Sequence, residues 1–137
     1  MRCSLSSLVR GTAVDAIALQ CNDLIQAMQL ASQLELREIR VDGGAGRSDL
    51  LLQSQANLLQ CCVTRAAQLE STALGVAYFA GLALGFWQDE ADIAKHWKSD
   101  GCFVPQCAQS DLSELQIAWQ KGIHRAKHWS SKSSDET

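Results

Sequence analysis

The sequence predicts an α/β chain, helix-rich with two recognisable strands. Three observations carry that prediction. The run Ile39-Arg40-Val41 stops abruptly at Asp42-Gly43-Gly44-Ala45-Gly46, as a strand entering a glycine turn does. Leucines at 51, 52, 58 and 59 follow at once with helical spacing. Further on, Ser71 to Trp87 carries no charge at all, which reads as a helix packed inside a protein.

Taken in order, Ala13 to Leu30 is expected to be helical, with Ala16, Leu19, Leu24, Ala27 and Met28 supplying its apolar face. Leu36 to Val41 alternates toward a β-branched end and predicts a strand, stopped by Gly43 and Gly44. Ser48 to Leu59 predicts the next helix, and Cys61 to Arg65 a short second strand. The uncharged helix is expected to be capped near Ser71 or Thr72 and buried. A polar helix over Asp89 to Lys98 precedes a loop, Ser99 to Cys107, marked by Gly101 and by Pro105, the only proline. Ser110 is expected to cap a last helix whose Leu112, Leu115, Ala118 and Trp119 share one face. The order is α-β-α-β-α-α-α. Two strands make no self-sufficient sheet, because their faces and edges need cover.

At 137 residues the chain fits one domain. Its net charge of −3 speaks against a nucleic-acid partner, which calls for a basic face. The uncharged segment sits at the lower limit for a bilayer span and lacks basic flanks, so no membrane partner is expected. The first twenty residues hold only short apolar patches, which speaks against a secretory leader and for a cytoplasmic protein. The six cysteines are then expected to be free thiols, and adjacent Cys61 and Cys62 point to opposite faces.

Three constellations carry chemistry. At a strand–glycine–helix turn, backbone amides converge on an anion, and Gly43 and Gly44 let a ligand approach the backbone closely. The turn is neither a Walker A loop, having no Gly-Lys-Ser/Thr, nor a full dinucleotide fingerprint. Nucleotide binding and a plain tight turn both remain open from the pattern. Cys102, Cys107, His124 and His128 have the half-spacings of a zinc finger, but the interval between the halves is too long, and unpaired thiols and histidines are the plainer account. Asp42, Asp49 and Glu70 could act near the turn, or simply cap helices and pair with Arg47 or Arg65.

Two long motifs go further. "RVDGGAGRSDLLLQSQANLLQ" and "ESTALGVAYFAGLALGFWQ" resemble, in order, the carboxy-terminal lobe of the FGGY carbohydrate kinases, on the glycerol kinase side of that family. "AWQKGIHRAKHW" resembles the family's closing helix, so the likeness runs from about Ala13 to Trp129. The resemblance implies a partial actin-like ATPase (ribonuclease H-like) lobe over 13–129, after an atypical segment at 1–12; the polar tail at 130–137 is expected to be disordered from its composition. "VRGT" at Val9 to Thr12 is similar to a family Arg-Gly-Thr but lies closer to the following helix, which points to a deletion or a spurious start.

The function implied is ATP-dependent transfer of the γ-phosphoryl group to a hydroxyl of glycerol, or of a related polyol or sugar, with Mg²⁺. Gly43, Gly44, Ala45 and Ser48 match the nucleotide-contacting positions. Ser48 and Asp49 stand where many members carry two asparagines. The family's catalytic aspartate and substrate pocket lie in an amino-terminal lobe. No catalytic residue and no metal ligand is therefore expected here, and the chain alone is expected to be inactive, to bind glycerol only with that lobe, and to associate with itself through uncovered apolar faces. A non-catalytic remnant serving as a binding or oligomer-contact module is the alternative.

Overall fold

The computed structural model describes residues 11–127. Helix α1 (Gly11–Ser32), strand β1 (Glu38–Val41), α2 (Asp49–Leu59), β2 (Cys62–Ala66), α3 (Ser71–Ala83), α4 (Glu90–Ala94), β3 (Ser99–Phe103) and α5 (Ser113–Ala126) follow in that order. Short 3-10 turns lie at Gly44–Arg47 and Gln109–Leu112. The three strands form one sheet in the order β1-β2-β3, β1 parallel and β3 antiparallel to β2.

Strand β3 corrects the expectation of two strands, for Ser99–Phe103 was expected as loop. Ser-Asp-Gly-Cys-Phe has no alternation, and partners from elsewhere hold it. Asp100 accepts from Arg65 Nε at 2.9 Å, and Phe103 packs on the core residues Leu52, Ala56 and Val63. Beyond β3, Gln53 Nε2 donates to the Val104 carbonyl and the Gln106 amide donates to Asn57 Oδ1, both at 2.8 Å, fastening the chain to α2.

The core lies between the sheet and α2, with α1 and α5 on the far side of α2. Leu52 and Val63 are fully buried, each stabilising the fold by about 1.5–3 kcal/mol. Ala18, Leu19, Leu51 and Leu58 form a second cluster, against which Leu112, Leu115 and Trp119 of the last helical segment pack. Trp119 Nε1 donates to Asp23 at 2.7 Å and ties α5 to α1. The buried face of α1 therefore runs through Ala18, Leu19 and Asn22, whereas Leu24, Ala27 and Met28, expected inside, are exposed.

Three further expectations are corrected. Helix α4 is a single short helix capped by Asp89, whose side chain accepts from the Asp92 amide, and does not reach Lys98. Ser110 lies inside the 3-10 turn, and Leu112 occupies the N-cap position of α5. Helix α3 follows Glu70, not Ser71 or Thr72, and none of its residues is buried. It ends in a Schellman motif, with Gly85 at φ +73° donating to the Leu82 carbonyl and Phe86 donating to that of Gly81. Trp87 folds back onto Gly81 and packs edge-on against Tyr78 and Phe86. The expectation of free thiols fails for Cys62 and Cys102, which are joined between β2 and β3; Cys21 and Cys61 remain thiols. Cys3 and the tail at 130–137 lie outside the described residues. No described helix is long and apolar enough to cross a membrane.

Candidate functional site

The turn after β1 is built by backbone geometry. Gly43 adopts φ 79° and ψ 175°, a region that an L side chain disfavours. That conformation lets its amide donate back to the Leu69 carbonyl at 3.0 Å while its own carbonyl accepts from the Gly46 amide at 3.0 Å. Gly44–Arg47 then makes one 3-10 turn, closed by the Ser48 amide donating to Ala45. Ser48 starts α2 as its N-cap, with Oγ accepting from the Leu51 amide at 3.3 Å. Gly43, Gly44, Ala45 and Ser48 are thus brought together along one short path.

Arg65, at the end of β2, locks this turn in place. Its guanidinium donates to Asp49 Oδ1 at 2.6 Å and to the Gly46 carbonyl at 3.4 Å, and its Nε donates to Asp100. The hydrogen bond to Asp49, then the charges of Asp100 and Asp49, push the guanidinium's pKa up, so it stays charged. Asp49 is occupied as a structural partner of Arg65, one of the two roles open to it from sequence. The Phe103 ring lies 5.5 Å from the Arg65 guanidinium carbon. Arg65 was seen only as a possible salt-bridge partner; its place at the end of a strand beside a glycine turn is the signal for its bracing role.

The turn leaves one side of its backbone open. A Cβ placed on Gly43 or on Gly44 meets nothing within 4 Å. Among the described residues the amides of Gly44 and Ala45 donate to no acceptor, so two backbone donors stand at the start of a helical turn. That is the chemistry of an anion cradle. Beside it, past the carboxy-terminal ends of parallel β1 and β2, lies a cavity of about 550 Å³ lined by Asp42, Arg40, Ser71, Tyr78 and Trp97. Ligands of open α/β sheets bind at such strand ends. Arg40 stacks over Trp97 at 4.4 Å from the ring centre. No local pattern in the sequence signals this stack, because Arg40 and Trp97 lie far apart along the chain.

The zinc-spaced set does not assemble: Cys102 is taken up by Cys62, and His128 lies outside the described residues. Among the described residues no group of three His, Cys, Asp or Glu side chains could hold a metal ion. Glu70 sits at the N-cap of α3 without a side-chain bond to it.

A glycine turn between a parallel strand and a helix, braced from the end of the neighbouring strand, fits the partial actin-like ATPase fold expected from the sequence. The comparisons agree with that class. Residues 1–84 match the family model described as the FGGY family of carbohydrate kinases, C-terminal domain. Glycerol kinase of Dechloromonas aromatica is 46% identical over 93% of this chain and 27% of its own length, and that of Deinococcus radiodurans 43% identical over the same shares. The solved glycerol kinase of Plasmodium falciparum with ADP superposes with a TM-score of 0.68 at 23% identity, over 82% of this chain and 22% of that one. The chain belongs to the FGGY family of carbohydrate kinases and matches its glycerol kinases through their carboxy-terminal part. It spans about a quarter of the length of the curated relatives it matches.

Proposed function

We propose that this chain forms the nucleotide-binding wall of an ATP-dependent glycerol kinase, or of a kinase for a related polyol or sugar. The observation that carries the reading is the open turn, where the Gly44 and Ala45 amides and the space above Gly43 and Gly44 lie free to meet a phosphate or ribose edge. Ser48 retains a hydroxyl proton to donate, since its oxygen serves only as the helix cap. In this reading Mg²⁺ arrives on the nucleotide's own phosphates.

Phosphoryl transfer depends on positioning the acceptor oxygen in line with the γ-phosphate. One wall supplies the nucleotide and not the acceptor, so the isolated chain is expected to show no glycerol-dependent ATP consumption. The test is a chimera in which this chain replaces the matching carboxy-terminal part of the Dechloromonas aromatica enzyme. Glycerol-dependent turnover is expected, with Gly44→Val raising the KM for ATP and leaving that for glycerol unchanged. A folded chimera without turnover, or turnover by the isolated chain, overturns the proposal.

A further inference from the structure

Strands β2 and β3 are joined covalently as well as by their ladder. Cys62 and Cys102 are bonded across the pair, with their Cα atoms 6.5 Å apart. That distance lies within the span a disulfide bridges, so the bond can open and re-form with both strands in register. In that register Cys102 faces Thr64 and Gly101 faces Arg65. Asp100, next along β3, accepts from Arg65 Nε at 2.9 Å. The bond thus lies close to an anchor of the same guanidinium that holds Asp49 and the Gly46 carbonyl. The two ends of β3 are held unequally. Phe103 packs on Leu52, Ala56 and Val63, whereas the ladder is interrupted between Arg65 and Ala66, opposite the end that carries Asp100. Asp100 and Gly101 are also residue types that strands disfavour.

We propose that the Cys62–Cys102 bond is a reversible redox lock on the glycine turn. Closed, it links positions 40 residues apart along the chain and keeps Asp100 against Arg65, so the guanidinium is gripped by Asp49 and Asp100 together. Opened, β3 frays from its Ser99 end, Asp100 withdraws, and Arg65 loses the contact that fixes its Nε. Its bond to the Gly46 carbonyl, the longest of the three at 3.4 Å, weakens first and frees the turn. The switching step is thiol–disulfide exchange. A thiolate such as that of glutathione attacks one sulfur, forming a mixed disulfide and releasing the other cysteine as a thiolate. A second small thiol displaces the first, so the two cysteines gain two electrons and two protons while the small thiols leave as their own disulfide. Oxidised glutathione runs the same steps backwards. A freed turn also holds a phosphate less tightly, a consequence that rests on the nucleotide reading proposed above; the lock itself does not rest on it.

The test is amide hydrogen exchange of the full chain in buffers of reduced or oxidised glutathione, with the bond followed by thiol alkylation and mass spectrometry. On reduction the Gly46 and Ser48 amides, which donate within the turn, are expected to exchange roughly tenfold or more faster, and to regain protection on reoxidation. Recovery separates unlocking from damage. The Cys62→Ser/Cys102→Ser double variant, which keeps the other four cysteines, is expected to exchange at the fast rate in both buffers. Asp100→Ala keeps the bond and is expected to show the fast rate whether the bond is open or closed. In the chimera above, reduction is expected to raise the KM for ATP severalfold; an inactive chimera overturns the nucleotide reading and leaves exchange to decide the lock. A bond that does not form or open in the native chain overturns the proposal. So does a wild-type turn indifferent to the bond, a double variant that still responds to the buffer, or an Asp100→Ala turn that still follows the bond.

Discussion

Gly43 and Gly44 are neighbours with equal space around them, and the structure assigns them opposite responses to the same methyl group. Neither Cβ meets an atom within 4 Å, so packing contributes nothing to the difference. Gly43 holds φ 79° with ψ 175°, where a side chain costs about 1–3 kcal/mol. Gly44 opens the 3-10 turn without a positive φ, and an alanine there restricts the unfolded chain, worth about 0.4–1 kcal/mol of added stability. Gly43→Ala is therefore expected to lower stability by about 1–3 kcal/mol, and Gly44→Ala to leave it unchanged or slightly raised. At about 4 °C per kcal/mol for a chain of this size, the melting temperatures should separate by roughly 4–16 °C. Thermal unfolding followed by circular dichroism, at one fixed protein concentration because association shifts the midpoint, reads this directly. Equal losses from the two variants would refute the reasoning, since they would place the cost in crowding and not in backbone conformation.

Leu52→Ala, in the core beneath the sheet, is expected to cost about 2–5 kcal/mol by urea unfolding, whereas Phe79→Ala on α3, 77% exposed, should cost under about 0.5 kcal/mol. A comparable loss at Phe79 would show that α3 is covered in solution. The Thr64 hydroxyl, donating to Glu38 at 2.6 Å, and then the Arg40 charge hold the Glu38 carboxyl below its ordinary value of 4.5. A depressed carboxyl stabilises the fold above its unfolded pKa and loses that contribution as pH falls through its folded value. Urea midpoints taken from about pH 6 to about pH 3 should therefore fall more steeply for the wild type than for Thr64→Val. Parallel curves would remove Thr64 from the account. Arg65→Lys keeps a charge but cannot reach Asp49, the Gly46 carbonyl and Asp100 together, so amide exchange at Gly46 to Ser48 is expected to quicken. Unchanged protection there would mean the turn holds itself.

The parts legible in the sequence are those whose signals are local. Asp42-Gly43-Gly44 marks the end of β1 because a strand cannot continue through that φ, and Ser48 marks the start of α2 because its oxygen caps the helix. Both β2 and the core-facing Leu51, Leu52 and Leu58 follow from short-range pattern. Strand β3 was illegible because its partners, β2 and the Arg65 side chain, lie about thirty-three to forty residues away in sequence. The apolar face of α1 was misread because Leu24 and Met28 have the right spacing but stay more than half exposed. At the candidate site, the glycines and the cap were visible; the bracing by Arg65 and the Arg40–Trp97 stack were not, since both depend on side chains meeting across the fold.

Helix α3 and strand β1 expose surface of different kinds, and the difference bears on what each can do. Apart from its terminal groups, α3 is apolar all round, a composition that normally belongs to a buried helix, and it leaves Val76 and Phe79 in water. Such a surface attracts any apolar partner, because the hydrophobic effect carries no direction. Strand β1 instead alternates apolar Ile39 and Val41 with the opposite charges of Glu38 and Arg40, so a contact on either of its faces is constrained in chemistry. The apolar helix adds affinity without choosing a partner.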